Sequence, residues 1–278
     1  MAQDAGWVPE DAAVERPSPA RMYDYFLGGS HNFAADRALA ERYMQVIPDM
    51  PEIARANRRF LVRAVRALAA AGIDQYLDLG SGLPTQGCTH ETARKINPGA
   101  RVVYVDVDPV SVEFGRSLLD ATSGVDILHA DLRAPRAVLD SAEVARCLDL
   151  SRPVGVLMVA MLHFVPDDDD PSALVAAYRD ASAPGSHLVL SHATNDYHPD
   201  AMREAASVYN SGATHGMNFR SRAQISALLD GYELLEPGLV DVIRWRPDDD
   251  HDPLDGDVSR YNLLAAVGHK ASDVSRAL

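Results

Sequence analysis

The chain has little cysteine. Cys88 and Cys147 are its only two, and they form no C-x-x-C pair. A disulfide framework and a thiolate zinc site are therefore not expected, and a reducing compartment suits the sequence. Positive charge is also scarce, with 26 Lys and Arg against 40 Asp and Glu and a formal net charge of −14. No net positive field draws in polyanions, so a nucleic-acid partner is not expected. No uninterrupted apolar run approaches the roughly 20 residues of a membrane span. Residues 1–7 lack a basic start and an apolar core, so no signal peptide and a cytoplasmic location are expected. H-E-x-x-H, G-x-S-x-G and P-loop patterns are missing too, which removes the commonest metalloprotease, serine-hydrolase and nucleotide-triphosphate signatures.

What remains is an ordinary globular composition, 47% hydrophobic over 278 residues, enough for one large domain or a domain with an extension. Residues 1–18 are rich in Pro and acid and read as a flexible tail. Residues 19–72 read as a helical extension. In it Phe60, Leu61, Ala64, Val65 and Leu68 share one helical face, Gly72 is placed to end that helix, and Gly28 and Gly29 interrupt an earlier one. From residue 73 to 278 the pattern changes. Candidate strands at 75–79, 101–105, 125–129, 154–159 and 186–191 alternate with helical stretches at 85–96, 109–121, 135–147 and 172–182. That alternation predicts an α/β fold with right-handed crossovers and a mostly parallel sheet covered on both faces. A helix near 221–230 and two late strands, 239–245 and 260–267, predict a terminal antiparallel hairpin at one sheet edge.

Three strand ends carry acids. Asp78 precedes Gly80-Ser81-Gly82, where glycine lets the backbone turn tightly and approach a ligand. Asp106 ends the next strand, where a carboxylate can accept both hydroxyls of a ribose. Asp131 follows the third strand and can accept from an adenine amino group. A dinucleotide would also use a glycine turn and an acid. Its fingerprint needs a third glycine, however, and Thr85 stands there. Asp78 would repel a pyrophosphate but suits a ligand bearing an ammonium. S-adenosyl-L-methionine combines an ammonium, a ribose and an adenine. Asp108 precedes Pro109 and reads as a helix N-cap.

Residues 21–33, 54–61, 78–85, 104–109 and 129–133 make the likeness specific. On them the chain resembles a class I S-adenosylmethionine-dependent methyltransferase. More narrowly, it resembles an actinobacterial family once listed as a domain of unknown function and later named S-adenosyl methyltransferase. The resemblance spans nearly the whole chain after the tail. It implies a Rossmann-like seven-stranded sheet, S-adenosyl-L-methionine as cofactor and transferase activity, with no particular substrate.

Cofactor contacts are expected from Asp78, Gly80, Gly82, Asp106, Asp131 and the adjoining Leu132. His163, just past the fourth strand, reads either as a general base or as a histidine satisfied by hydrogen bonds at a strand–loop junction. Met158 and Met161 read as core before adenine contacts. Tyr23, Asp24, Gly28 and Asn32 are expected in a substrate-facing lid, against the plainer reading of a helix end with a glycine turn. Arg55, Arg58, Arg59, Arg63 and Arg66 could gather an anionic substrate, but a solvated helix face explains most of them more cheaply. The run 167–170 fits the start of a helix. The acidic loop at 248–257 departs from a calcium loop at Pro253 and Ser259, so no metal is expected. The expected reaction is methyl transfer to an oxygen or nitrogen of a small molecule. The rivals are a non-catalytic regulator that binds the same cofactor and a nicotinamide-dependent oxidoreductase.

Overall fold

A computed structural model describes residues 14–271, apart from 86, 120, 121, 214, 249–253 and 255. Residues 1–13 of the tail expected at 1–18 and most of the acidic run after 248 lie outside the described residues.

The extension is three helices: α1 (Pro19–Phe26), α2 (Ala34–Val46) and α3 (Met50–Ala70). Prolines stand in the first turn of α1 and α3, where a missing N–H leaves no bond unmade. Phe60, Leu61, Ala64, Val65 and Leu68 are all buried, as their spacing predicts. Gly72 adopts φ +93°, and the Ile73 N–H bonds back to the Leu68 carbonyl at 3.0 Å, which closes the end of α3.

The alternating region follows: β1 (Gln75–Leu79), α4 (Thr89–Arg94), β2 (Arg101–Asp106), α5 (Pro109–Leu119), β3 (Val125–His129), α6 (Pro135–Leu139), α7 (Ala142–Cys147), β4 (Gly155–Val159), α8 (Pro171–Ala181) and β5 (His187–Ala193). Then come α9 (Pro199–Asn210), α10 (Arg222–Ala227), β6 (Glu233–Leu234), β7 (Val240–Asp241) and β8 (Leu263–His269). The sheet order is β3-β2-β1-β4-β5-β8-β6, and β7 also pairs with β8. The first five strands are parallel, and β8 runs antiparallel to β5. Strand order reverses between β1 and β4, and ligands in such sheets bind at the carboxyl ends of the strands beside that reversal.

The sheet has eight strands rather than the expected seven. β6 and β7 take successive stretches of the same edge of β8, at Gly268–His269 and Leu264–Ala265 respectively, so one edge position is shared by two short strands. Residues alternate between two cores. Tyr76, Val102, Tyr104, Leu157 and Val189 pack with α3 on one face, and Leu77, Val103, Val105, Val156 and Leu188 fill the other. The segment 19–72 therefore shares a core with the sheet.

Local differences from the expected elements have local causes. The helix expected over 135–147 breaks at Ser141, whose Oγ accepts from the Val144 N–H at 3.2 Å and starts a new helix. α4 begins only at Thr89, after a loop in which Gly82 and Gly87 hold positive φ. β7 stops at Asp241 because residues 242–245 turn inward. Trp245 is fully buried edge-on to Phe60, with ring centroids 5.5 Å apart. Buried Arg63 bonds the Val242 and Trp245 carbonyls at 2.9 Å each, so it is no part of a solvated face. Arg55 and Arg59 pair with Glu52, and Arg66 with Asp248, on the surface as expected. α9 had no predicted counterpart. Among the described residues, no helix is long and apolar enough to cross a membrane.

Candidate functional site

A cavity of about 380 Å³ opens at the carboxyl ends of β1 to β5 and is roofed by α1, α2 and α3. Asp78, Gly80, Gly82, Asp106, Asp131, Leu132 and His163 all line it, as do Tyr23 and Asp24 of the extension. Seven positions scattered over 86 residues of sequence thus meet, because parallel strands deliver their carboxyl ends to one side of a sheet.

Asp78 and Asp106 are buried, and the chain offers them only uncharged hydrogen-bond donors. Asp78 accepts from the Thr89 hydroxyl at 2.6 Å. Asp106 accepts from the Gly82 N–H at 2.7 Å and the Asp108 N–H at 2.9 Å. Burial pushes both carboxyls up to about 6. For Asp78 the Thr89 bond and the nearby Arg58 charge oppose the rise, and for Asp106 the backbone N–H bonds do so. Two buried acids without an ion-pair partner are what a cationic or hydroxyl-bearing ligand requires. Gly80, at φ +69°, cradles that space: a Cβ there would come 2.9 Å from Met161 Cγ.

Asp131 is different. It is a third exposed and bonds Arg133 through both oxygens, and Arg133 also pairs with Asp169 at 2.9 Å. Partial burial pulls its pKa up, but the Arg133 hydrogen bonds outweigh this and hold it below the ordinary value. Leu132 is buried beside it, and its carbonyl accepts from the Tyr178 hydroxyl at 2.8 Å.

Asp108 does cap α5, accepting from the Val110 N–H at 3.2 Å and from the Ser111 hydroxyl at 3.2 Å. It also takes Ser18 Oγ at 2.8 Å and Arg21 Nη1 at 3.1 Å. Ser18, expected at the end of a loose tail, is consequently buried and bonded. The sequence held no signal for this tie across 90 residues.

The lid cluster divides. Tyr23 and Asp24 reach the cavity wall, whereas Gly28 and Asn32 do not and instead build the turn after α1. Gly28 takes φ +81°, and Asn32 donates to Asp24 Oδ2 at 2.9 Å and to the Gly29 carbonyl at 3.0 Å. Asp24 also accepts from the His31 N–H at 2.8 Å, so its carboxylate serves the turn. A side chain on Gly29 would collide with that carboxylate. Tyr23 starts a relay that sequence reading missed. Its hydroxyl donates to the Ala54 carbonyl and accepts from Asn57 at 3.0 Å. Asn57 accepts from Ser191 Oγ at 2.6 Å, and Ser191 Oγ accepts from the Ala160 N–H at 2.9 Å. Ala160 holds φ +53°, a strained setting for a residue with a side chain, directly after β4.

His163 is buried. Burial first, then the neighbouring His192 and Arg220, hold its pKa well below the ordinary histidine value. Its Nδ1 lies 3.5 Å from the Ala193 N–H, too long to fix a tautomer. The turn carrying it is clamped by buried Arg220, which donates to the Leu162 carbonyl at 2.9 Å, the Val165 carbonyl at 2.8 Å and Asp167 at 2.6 Å. Arg220 also donates to His192 Nε2 at 2.9 Å, which assigns the His192 proton to Nδ1 and its 2.7 Å bond to the Ala193 carbonyl.

Three of the four acids at 167–170 are spent within the fold: Asp167 on Arg220, Asp169 on Arg133, and Asp170 on the Ala173 N–H that caps α8. One trio among the described residues, Cys88, His90 and Glu91, brings possible metal donors within 4.8 Å of one another. His90 Nδ1 there already meets the Tyr104 hydroxyl at 2.8 Å. Arg58, expected mostly on a solvated helix face, belongs to the site. It lines the cavity, lies over the Tyr23 ring at 5.5 Å, and has a buried Nε with no hydrogen-bond partner.

Comparison with known proteins agrees with this geometry. A family profile described as S-adenosyl methyltransferase matches residues 5–271. A candidate methyltransferase solved from Thermobifida fusca is 42% identical over 96% of this chain and 99% of its own, with a TM-score of 0.89. A DUF574 family protein from Streptomyces avermitilis is 35% identical over 92% of this chain and 98% of its own, with a TM-score of 0.86. Human N-acetylserotonin methyltransferase, solved with S-adenosylmethionine, matches at 14% identity over 93% of this chain and 64% of its own, with a TM-score of 0.50, and so shows the fold alone. Among curated proteins none matches the sequence. The chain belongs to the S-adenosyl methyltransferase family and is an enzyme that uses S-adenosylmethionine.

Proposed function

We propose that the enzyme transfers a methyl group to an oxygen or nitrogen of a small molecule, in the cytoplasm. The observation that carries the cofactor assignment is the meeting of Asp78, Asp106 and Asp131 at three strand ends around one cavity. Asp78 is assigned the cofactor's ammonium and Arg58 its carboxylate. The support is a buried acid without an ionic partner beside a guanidinium with an unused Nε. Asp106 is assigned the ribose hydroxyls. Asp131 is assigned the adenine amino group, with Leu132 against the ring. Gly80 and Gly82 keep the floor open.

When bound, S-adenosylmethionine supplies a methyl on a sulfonium: the acceptor's lone pair takes the methyl, the electrons of the broken bond stay on sulfur, and the acceptor sheds a proton. His163 is assigned that proton. Its depressed pKa keeps it neutral at pH 7, the form a base needs, while limiting how strongly it pulls. Most of the rate advantage then comes from holding the nucleophile in line, a role for the Tyr23–Asn57–Ser191 relay that fixes the lid against the end of β4. The extension 19–72 acts as the lid over the domain 73–278.

The experiment is incubation with methyl-labelled cofactor and a fractionated small-molecule extract, followed by locating the label. Label on oxygen or nitrogen of a small product supports the proposal. Label on carbon rejects the acceptor assignment, and cofactor binding with no product favours the regulator.

A further inference from the structure

The cavity continues past the acidic strand ends. Beyond β4 it is walled by Phe164 after β4, Ala193 at the end of β5, Asn262 and Leu263 at the start of β8, and by α2 and α9. This chamber lies on the opposite side of β1 from Asp106 and Asp131, because the order is β3-β2-β1-β4-β5-β8. It is therefore the part left to the methyl acceptor if the cofactor assignment above holds.

Its chemistry is narrow. Tyr43 and Tyr209 meet edge-on with centroids 5.9 Å apart, and Phe164 and Tyr209 lie 5.8 Å apart. The Tyr43 hydroxyl rests on the Met217 sulfur at 3.6 Å, and Met202 adds a second thioether. Ring faces, ring edges and polarisable sulfur favour a flat π-system. None of α2, α9, residues 217–219 or the start of β8 places an acidic or basic side chain in this wall, and His215, which also lines the cavity, faces Arg133, Asp131 and Asp108 on the cofactor side. His163 is neutral there, and Arg220, nearby, is spent on carbonyls, His192 and Asp167. An ionised acceptor would lose its water and gain no counter-charge. Two buried polar atoms of the wall lack partners: Tyr209 Oη and Asn262 Oδ1. Tyr209 is 2% exposed and Asn262 5%. Buried polar atoms of folded proteins rarely stay unpaired, so they mark places for a ligand's donor.

We infer that the acceptor is a neutral, planar aromatic molecule bearing an anchoring hydroxyl distinct from the atom that takes the methyl, with the ring among Tyr43, Phe164, Tyr209 and Met217 and that hydroxyl donating to Asn262 Oδ1. The inference rests on the cofactor assignment, and its test separates the two. Fluorescent 2-naphthol is titrated into enzyme saturated with S-adenosylhomocysteine, beside 6-hydroxy-2-naphthoate, the same ring with a carboxylate. The naphthol is expected to bind at least about tenfold tighter, a modest share of the desolvation of a charge. Met217→Trp fills the chamber and is expected to abolish naphthol binding while S-adenosylhomocysteine affinity, measured by calorimetry, stays within about twofold. Asn262→Gly keeps the positive φ and is expected to weaken naphthol about tenfold, on the scale of one buried hydrogen bond. Equal or tighter binding of the naphthoate, or naphthol binding unaltered in both variants, overturns the inference. Failure of S-adenosylhomocysteine to bind the unaltered enzyme overturns the cofactor assignment instead.

Discussion

Arg21 of α1 bonds Asp108, two residues after the ribose-assigned Asp106, with Nη1 at 3.1 and 3.2 Å from the two carboxylate oxygens. Its Nε reaches buried Asp36 at 3.0 Å, so one guanidinium ties α1 and α2 to the loop after β2. Ser18 doubles the tie, its N–H on Asp36 and its hydroxyl on Asp108. The extension proposed as a lid is thus latched on the side assigned to the ribose.

Arg21→Met should release that latch. Removing one member of a buried ion pair costs about 3–5 kcal/mol of stability, because Asp36 keeps its charge without the guanidinium. Urea denaturation measures the loss, and stopped-flow release of S-adenosylhomocysteine should be faster. A variant as stable as the parent with an unchanged release rate speaks against a latch.

Gly80→Ala meets two obstacles, the left-handed φ of +69° and Met161 Cγ at 2.9 Å from the added carbon. A strained backbone alone costs about 1–3 kcal/mol. Trimming the neighbour in Gly80→Ala/Met161→Ala should recover only the steric part. Thermal melts of the three proteins test this, and full recovery in the double variant would assign the defect to Met161 alone.

Cofactor affinity should depend on pH through Asp78 and Asp106, both pushed up to about 6. Above that value both are ionised, Asp78 ready for the ammonium and Asp106 for the ribose hydroxyls. Below it a proton must leave Asp78 before the ammonium binds, so the Kd should rise by about tenfold per pH unit for each proton lost. Titration of S-adenosylhomocysteine from pH 7.5 to 5 reads the slope, and Asp78→Asn should flatten it. A Kd constant down to pH 5 contradicts the assignment.

Acid should also weaken the fold. Burial holds His163 well below its ordinary value, His187 at about 4 and His192 at about 3. Their pKa values are lower folded than unfolded, so the unfolded chain binds more protons below about 6.5 and stability falls with pH. Asp78 and Asp106 act in the opposite sense, since the folded chain holds their protons between about 4 and 6. Burial lowers His90 and His215 as well, so the imidazoles outnumber the two carboxyls and stability should fall from pH 6 to pH 5. Denaturant midpoints at pH 7, 6 and 5 check the sign, and His192→Gln should reduce the slope.

Much of this was legible in the chain, for identifiable reasons. The parallel strands were readable because their apolar runs end in acids and glycines, and the strand ends carried Asp78, Asp106 and Asp131 with them. The α3 face was readable because its apolar spacing matches one helical stripe. α9 had no expected counterpart, although Pro199 followed by Met202, Ala205 and Tyr209 carries the same kind of spacing. The split at Ser141 is an N-cap signal hidden inside a helical run. β7 was read too long because 239–245 alternates like a strand, and only the packing of Trp245 against Phe60 turns it away. The contacts of Arg21, Asn57, Ser191 and Arg220 were not legible. Each acts through partners that the fold alone brings near, and no spacing marks an arginine that will clamp a turn more than 50 residues away.

The acidic strand ends as the grip on the adenosyl group are tested most directly by calorimetry. S-adenosylhomocysteine is titrated into the parent enzyme, Asp78→Asn and Asp106→Asn at pH 7.5, with folding checked by circular dichroism. Loss of a charge-assisted hydrogen bond predicts a Kd about 10- to 100-fold higher in each folded variant. Folded variants that both bind as tightly as the parent would contradict it.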